Sequence, residues 1–154
     1  MHIRDVMDVK AARVVETATL KTAAELLVLT QASDLVVIDP EGNFVGVVSE
    51  GDLIRAVMPD FAEVVAAGGS LSEAFQIFLR AGQGLASEPI KRLIITDPIV
   101  IHPDDELLHA ATVMTAKMIR RLPVVADGKF VGTVSRADIC WALLCVPVKT
   151  RSST

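Results

Sequence analysis

Residues 131–139 read VGTVSRADI, and residues 45–54 read VGVVSEGDLI. Each is a valine-rich strand signal that runs into a serine with an aspartate three residues later. That pair is the signature of a helix start, in which the serine oxygen and the acid satisfy backbone N–H groups of the first turn. It occurs twice because the chain is a repeat. Residues 12–35 lie on 99–122 at an offset of 87 without gaps, so that Leu20, Ala23, Ala24 and Leu27 meet Leu107, Ala110, Ala111 and Met114. One residue is dropped at the next turn. The offset then becomes 86, and Gly46, Ser49 and Asp52 meet Gly132, Ser135 and Asp138. Two copies at this period are too few and too long for a solenoid. The chain is a duplicated small α/β unit.

Within each copy, Val14–Val15 and Val100–Ile101 are expected as short strands. Helices follow over about 19–32 and 106–119, with apolar residues at helical spacing. Leu35–Ile38 and Leu122–Val125 read as buried strands. Asp39-Pro40-Glu41-Gly42 and Asp127-Gly128 read as hairpin turns. Phe44–Val48 and Phe130–Val134 return as strands. Helices over 51–58 and 136–145 close the copies, with Pro59 and Pro147 at their ends. The order is β-α-β-β-α, twice. The divisions are 1–58 for the first repeat, 59–89 for a helical insertion, 90–148 for the second repeat and 149–154 for a flexible tail. A unit of this size is marginal alone, so the copies are expected to pack together.

The insertion carries its own helix signals. Asp60 with Glu63, and Ser70 with Glu73, open two helices; Gly68-Gly69 ends the first and Gly82 closes the second. Leu71, Ala74, Phe75, Phe78 and Leu79 form one apolar stripe. The stripe reads as a linker packed on the core in preference to a lid or a dimer contact.

Composition limits the partners. Hydrophobic residues make up 51% of the 154 and mean hydropathy is +0.48. No run is long enough for a membrane helix. The excess belongs in a core or a subunit interface, and ICWALLCVPV (139–148) suggests the latter. The net charge of −4 and a pI of about 5.3 oppose nucleic acid as a partner, despite Lys117, Arg120, Arg121, Lys149 and Arg151. Charge is uneven: residues 1–58 hold five Lys/Arg against nine Asp/Glu, and residues 91–145 hold seven against six. The second repeat is the better place for an anion. Cys140 and Cys145 have neither redox-pair nor zinc spacing, and read as small buried hydrophobes. His2, His102 and His109 lack metal-ligand spacing, and no metal site is expected. MHIRDVMDVK has no apolar signal core, so the cytoplasm is the expected location. No nucleophile elbow, phosphate loop or zinc-protease motif occurs, and no catalytic residue is assigned.

The pattern resembles the cystathionine β-synthase (CBS) domain pair, or Bateman module. The resemblance rests on IRDVM (3–7), DPIVIHPDDELLHAATVM (97–114) and RRLPVVADGKFVGTVSRADI (120–139), with a weaker first copy in DLVVIDPEGNFVGVVSEGDLI (34–54). It implies two repeats related by a pseudo-two-fold axis, two clefts between them and a disc-like homodimer. It also implies a non-catalytic sensor or regulator, for example of energy state, that binds AMP, ADP, ATP or S-adenosylmethionine and acts on an unknown effector protein. By this resemblance Ser49, Asp52, Ser135 and Asp138 hold ribose. A carboxylate can accept from both ribose hydroxyls, and a helix start offers N–H groups to phosphate. Helix capping alone is the other reading of the same residues. Arg120, Arg121 and Arg136 are phosphate candidates by guanidinium chemistry; the alternative is solvated charge at a helix end. Ser33, Asp34 and Glu50 stand at the matching places in the first copy, so the clefts are expected to be unequal, with the second-repeat cleft the nucleotide site. Val14, Val15, Val100, Ile101 and Pro123 are candidates to sandwich adenine, against ordinary strand core. The rival function is a ligand-free structural or protein-interaction dimerisation module.

Overall fold

The computed structural model describes residues 1–58 and 60–147, with Phe61 described by its backbone alone. Pro59, taken as a helix end, and the tail with Lys149 and Arg151 lie outside the described residues, as does the last residue of the 139–148 run. The chain forms two compact units, residues 12–98 and residues 1–11 joined with the chain from 99 onward.

In the 12–98 unit, β1 (Arg13–Val15) leads to α1 (Leu20–Thr30), β2 (Asp34–Ile38), β3 (Phe44–Ser49) and α2 (Glu50–Val57). β1 pairs parallel with β2, and β2 antiparallel with β3. α1 opens on Thr19, whose hydroxyl accepts from the Thr22 amide at 3.2 Å. The insertion supplies α3 (Phe61–Ala66) and α4 (Leu71–Leu85). Ser70 and Glu73 form a full reciprocal cap on α4, whereas Asp60 caps α3 one way only. Val14, Leu20, Ala23, Leu27, Leu35, Val37, Val48 and Ile90 make the core.

In the other unit, α5 (Leu107–Lys117) is followed by β4 (Arg121–Ala126), β5 (Lys129–Ser135) and α6 (Arg136–Cys145). β4 and β5 form a hairpin through Asp127 and Gly128. Both residues have positive φ (50 and 75 degrees), as a two-residue primed turn requires. The expected strand at Val100–Ile101 shortens to one parallel bridge. The Ile101 amide donates to the Pro123 carbonyl at 3.0 Å and the Val125 amide to that of Ile101 at 2.9 Å.

Each hairpin gains an outer edge from a leading segment. Asp8 exchanges two backbone hydrogen bonds with Thr133 (2.8 and 3.0 Å), and Ile95 does the same with Val47 (2.9 and 3.0 Å). Short 3₁₀ turns at Ile3–Asp5 and Ile90–Leu93 precede these bridges and drive Ile3 and Ile90, both fully buried, into the cores. Residues 1–11 thus complete the unit of the second repeat, and residues 88–98 complete that of the first. The sequence boundaries at 58 and 90 mark the repeat; the packing boundaries at 11 and 98 mark the units.

The V-G pair of the opening motif serves this edge. Val45 and Val131 are the extra residues of β-bulges, and Gly46 and Gly132 follow them. A Cβ on Gly46 would overlap the Ile95 carbonyl oxygen, and one on Gly132 would lie 2.8 Å from that of Asp8. Only glycine admits a neighbouring backbone so closely.

Three expectations are corrected. α4 runs through Gly82 to Leu85. In its stripe only Ala74 is buried; Phe78 is half-buried, and Leu71, Phe75 and Leu79 are exposed. The helix leans on α3 and α2 with its small residue inward, because amphipathic spacing fixes a face and not the surface that covers it. Cys140 and Cys145 are exposed, since the buried side of α6 is carried by Ile139 and Ala142.

Gly132→Ala and Gly46→Ala are expected to destabilise by about 1–3 kcal/mol through overpacking, Gly46 the more. Gly84 on α4 has open space around it. Gly84→Ala is expected to stabilise by about 0.5–1 kcal/mol. Urea unfolding of the three variants measures the contrast.

Candidate functional site

At the end of β3, the Ser49 hydroxyl accepts from the Asp52 amide (3.2 Å). The Asp52 Oδ2 accepts from the Ser49 amide (2.8 Å) and hydroxyl (2.7 Å). At the end of β5 the same three bonds join Ser135 and Asp138, at 3.2, 2.7 and 2.7 Å. Both pairs are therefore complete capping boxes, closed by one carboxylate oxygen each. Helix capping is their observed role.

The other carboxylate oxygen differs. Asp52 Oδ1 accepts from the Arg55 guanidinium at 2.5 Å. Asp138 Oδ1 has no hydrogen-bond partner among the described residues, and the position matching Arg55 is Trp141, which is exposed. Burial alone would raise the Asp52 pKa. Hydrogen bonds from the Ser49 hydroxyl and amide, then the bond and charge of Arg55, outweigh it and hold the carboxyl below its ordinary 3.8.

The three arginines have different surroundings. Arg136 donates through Nε to the Ile119 carbonyl (2.9 Å) and through Nη2 to that of Met114 (3.1 Å), so its guanidinium ties down the end of α5. That is a structural use of the charge at a helix C-terminus. Arg121 donates to the buried Thr133 hydroxyl at 2.8 Å and is half-buried. Arg120 is exposed, and its carbonyl accepts from the Arg136 amide at 3.0 Å. The 12–98 unit repeats the last contact with acids in place of bases: the Glu50 amide donates to the Ser33 carbonyl at 3.0 Å, and Asp34 occupies the place of Arg121.

Of the apolar candidates, Val14 and Ile101 point into the cores and Pro123 is buried in β4, so ordinary core accounts for all three. Val15 is exposed and Val100 half-buried. His102 Nδ1 donates to the Val125 carbonyl at 2.8 Å. Among the described residues no cluster of His, Cys, Asp and Glu is placed to hold a metal, and no helix is long and apolar enough to cross a membrane. Sequence reasoning missed Arg55, whose spacing of three from Asp52 was the available signal.

The CBS domain family model matches residues 3–59 and 90–145. The chain belongs to the CBS domain family. Its tandem arrangement is shared with CBSX2, a CBS-pair protein of Arabidopsis thaliana. That structure has a TM-score of 0.72 at 28% identity, over 93% of this chain and 94% of that one. A CBSX2 structure in complex with AMP gives 0.69 at 28%, over 93% and 96%. The CBS domain of a CBS domain containing membrane protein from Sphaerobacter thermophilus gives 0.65 at 27%, over 90% and 85%. No curated protein matches the sequence. The CBS-pair fold, mixed α and β in two repeats, is that expected from the sequence.

The depressed Asp52 pKa stabilises the fold fully above the unfolded value near 3.8, and that contribution is lost as pH falls through the lower folded value. Asp52→Asn is expected to flatten the acid limb of the stability curve below about pH 4. Chemical denaturation between pH 2.5 and 6 checks it; an unchanged limb contradicts it.

Proposed function

We propose that this CBS pair is a non-catalytic regulatory module that binds an adenine nucleotide, with the Ser135–Asp138 element of the second repeat as its principal ribose site. The observation that carries the reading is the open Asp138 Oδ1. This carboxylate is already oriented by two hydrogen bonds from Ser135 through its capping box and still has acceptor capacity for a vicinal diol. Arg121 at the start of β4 and Arg120 just before it supply the positive charge a phosphate needs. CBSX2, similar over nearly the whole chain, is known in complex with AMP. Arg136 belongs to the scaffold in this reading. Val100, half-buried in the same unit as Asp138, remains the apolar candidate for a base there, and exposed Val15 the one in the 12–98 unit. Regulation would follow by population shift: a ligand that favours one conformation of the module alters the surface an effector reads.

Calorimetric titration with AMP, ADP, ATP and S-adenosylmethionine tests the reading. Binding of at least one is expected, weakened at least tenfold by Asp138→Ala, since a hydrogen-bonded charge contributes about 1.5–3 kcal/mol. No heat and no thermal shift with any of the four overturns it in favour of the ligand-free dimerisation module.

A homodimer is the proposed assembly. On α6, Trp141, Leu143 and Leu144 are exposed (57%, 69% and 83%), and Leu108 on α5 is exposed by 73%. Such a run on a small unit marks a surface that another chain covers. Light scattering is expected to give a dimer for the natural chain and a monomer for Leu143→Glu/Leu144→Glu; a dimer that survives the double change places the interface elsewhere.

A further inference from the structure

The two repeats present the same acid with different hydrogen-bond partners. Asp138 has Oδ1 open and Trp141 one turn on. Asp52 has Oδ1 bonded to Arg55 at 2.5 Å, and its side chain is only 12% exposed whereas that of Arg55 is 71% exposed. A second difference accompanies the first. Gly51 precedes Asp52 where Ala137 precedes Asp138, and a Cβ at Gly51 would lie 3.2 Å from Arg55 Nη1. The glycine keeps the space beside the guanidinium clear. Arg55 adds nothing to the capping box, which the Ser135–Asp138 pair completes without it. A guanidinium on a carboxylate offers the same paired N–H donors that a ribose offers as paired O–H donors. The two compete for one oxygen.

Resting on the nucleotide-binding reading above, we propose that Arg55 is a built-in competitor at Asp52. It occupies the acceptor a ribose would use, weakens the first-repeat site and makes the module fill at Asp138 first. The competitor is displaceable, because its ion pair reaches solvent on the arginine side. Asp34 and Glu50 replace the bases of the other repeat, so phosphate gives no compensating attraction there. Unequal affinity would allow one module to respond over two ligand ranges, with the second set by a single side chain.

The test is an AMP titration of the full chain, followed by calorimetry and by the fluorescence of Trp141, the one tryptophan. Melting curves without ligand confirm that each variant is folded. Arg55→Gln is expected to tighten the weaker step about twofold to fivefold, the range for an ion pair of this exposure, and to leave the tighter step unchanged. The gain should vanish in Asp52→Asn/Arg55→Gln, which a merely structural effect of Arg55 would not produce. Trp141→Arg should weaken the tighter step. A natural chain with one detectable step that acquires a second in Arg55→Gln supports the inference equally. A weaker step that is unchanged or loosened in folded Arg55→Gln, or a chain that stays single-step, overturns it while the nucleotide reading stands. No AMP binding by any form removes both.

Discussion

Both units depend on a close approach of two backbones. A carbonyl of the leading segment lies over a glycine that follows a β-bulge, at Ile95 over Gly46 and at Asp8 over Gly132. The bulge turns the strand, the missing side chain admits the segment, and two backbone hydrogen bonds fix its register. The isoleucine five residues earlier then reaches the core, Ile3 in one unit and Ile90 in the other. Burying each contributes roughly 1.5–3 kcal/mol, a large share of a small unit's net stability. Because each segment belongs in sequence to the opposite repeat, neither repeat is complete by itself. The two repeats of this chain thus complete each other by exchanging leading segments.

That dependence explains which parts were legible in the sequence. Local signals were read correctly: the Asp127-Gly128 turn has both residues at positive φ, the Ser-x-x-Asp pairs are reciprocal caps, and α6 spans 136–145 as expected. Such features are settled within a few residues. The exchange of leading segments was not legible, because IRDVM pairs with residues about a hundred positions away and its 3₁₀ turn has no periodicity. Burial was misjudged for a related reason. The α4 stripe and Cys140 lie on faces that hydrophobic spacing detects, but only the arrangement of neighbours decides whether a face is covered. For Val14 and Ile101, candidates for a base with strand core as the alternative, burial fits the core reading.

The two capping boxes use only part of each aspartate. In each repeat a single aspartate oxygen, Oδ2, closes the capping box and holds the strand-to-helix turn. The bond from the serine amide to that oxygen has nearly the same length in both, 2.8 Å at Asp52 and 2.7 Å at Asp138. The second oxygen, Oδ1, is not needed for the turn. It can be left open, as in Asp138, or given an arginine, as in Asp52, and the helix starts equally well. On the proposed reading, stability and recognition would be carried by different atoms of one carboxylate. The repeats can diverge in the second while the first keeps the architecture identical.

Charge divergence follows the same division. Arg121 and Asp34 occupy matching strand positions, and Arg136 and Glu50 matching helix positions, yet the backbone amide of each helix residue finds the same carbonyl at 3.0 Å. The main-chain contact is kept whichever side chain stands there. Side-chain charge can then invert between repeats while the main chain is kept, although Arg121 donates to the buried Thr133 hydroxyl and the Arg136 guanidinium bonds two carbonyls at the end of α5. In the first repeat Gln31 partly fills that role, its amide donating to the Val28 carbonyl at 2.7 Å. A helix end needs a donor and not specifically a cation, which is why Glu50 is tolerated where Arg136 stands. The pair of repeats can thus keep one fold and offer two electrostatic settings, a basic one around an open acid and an acidic one around an acid already matched by Arg55.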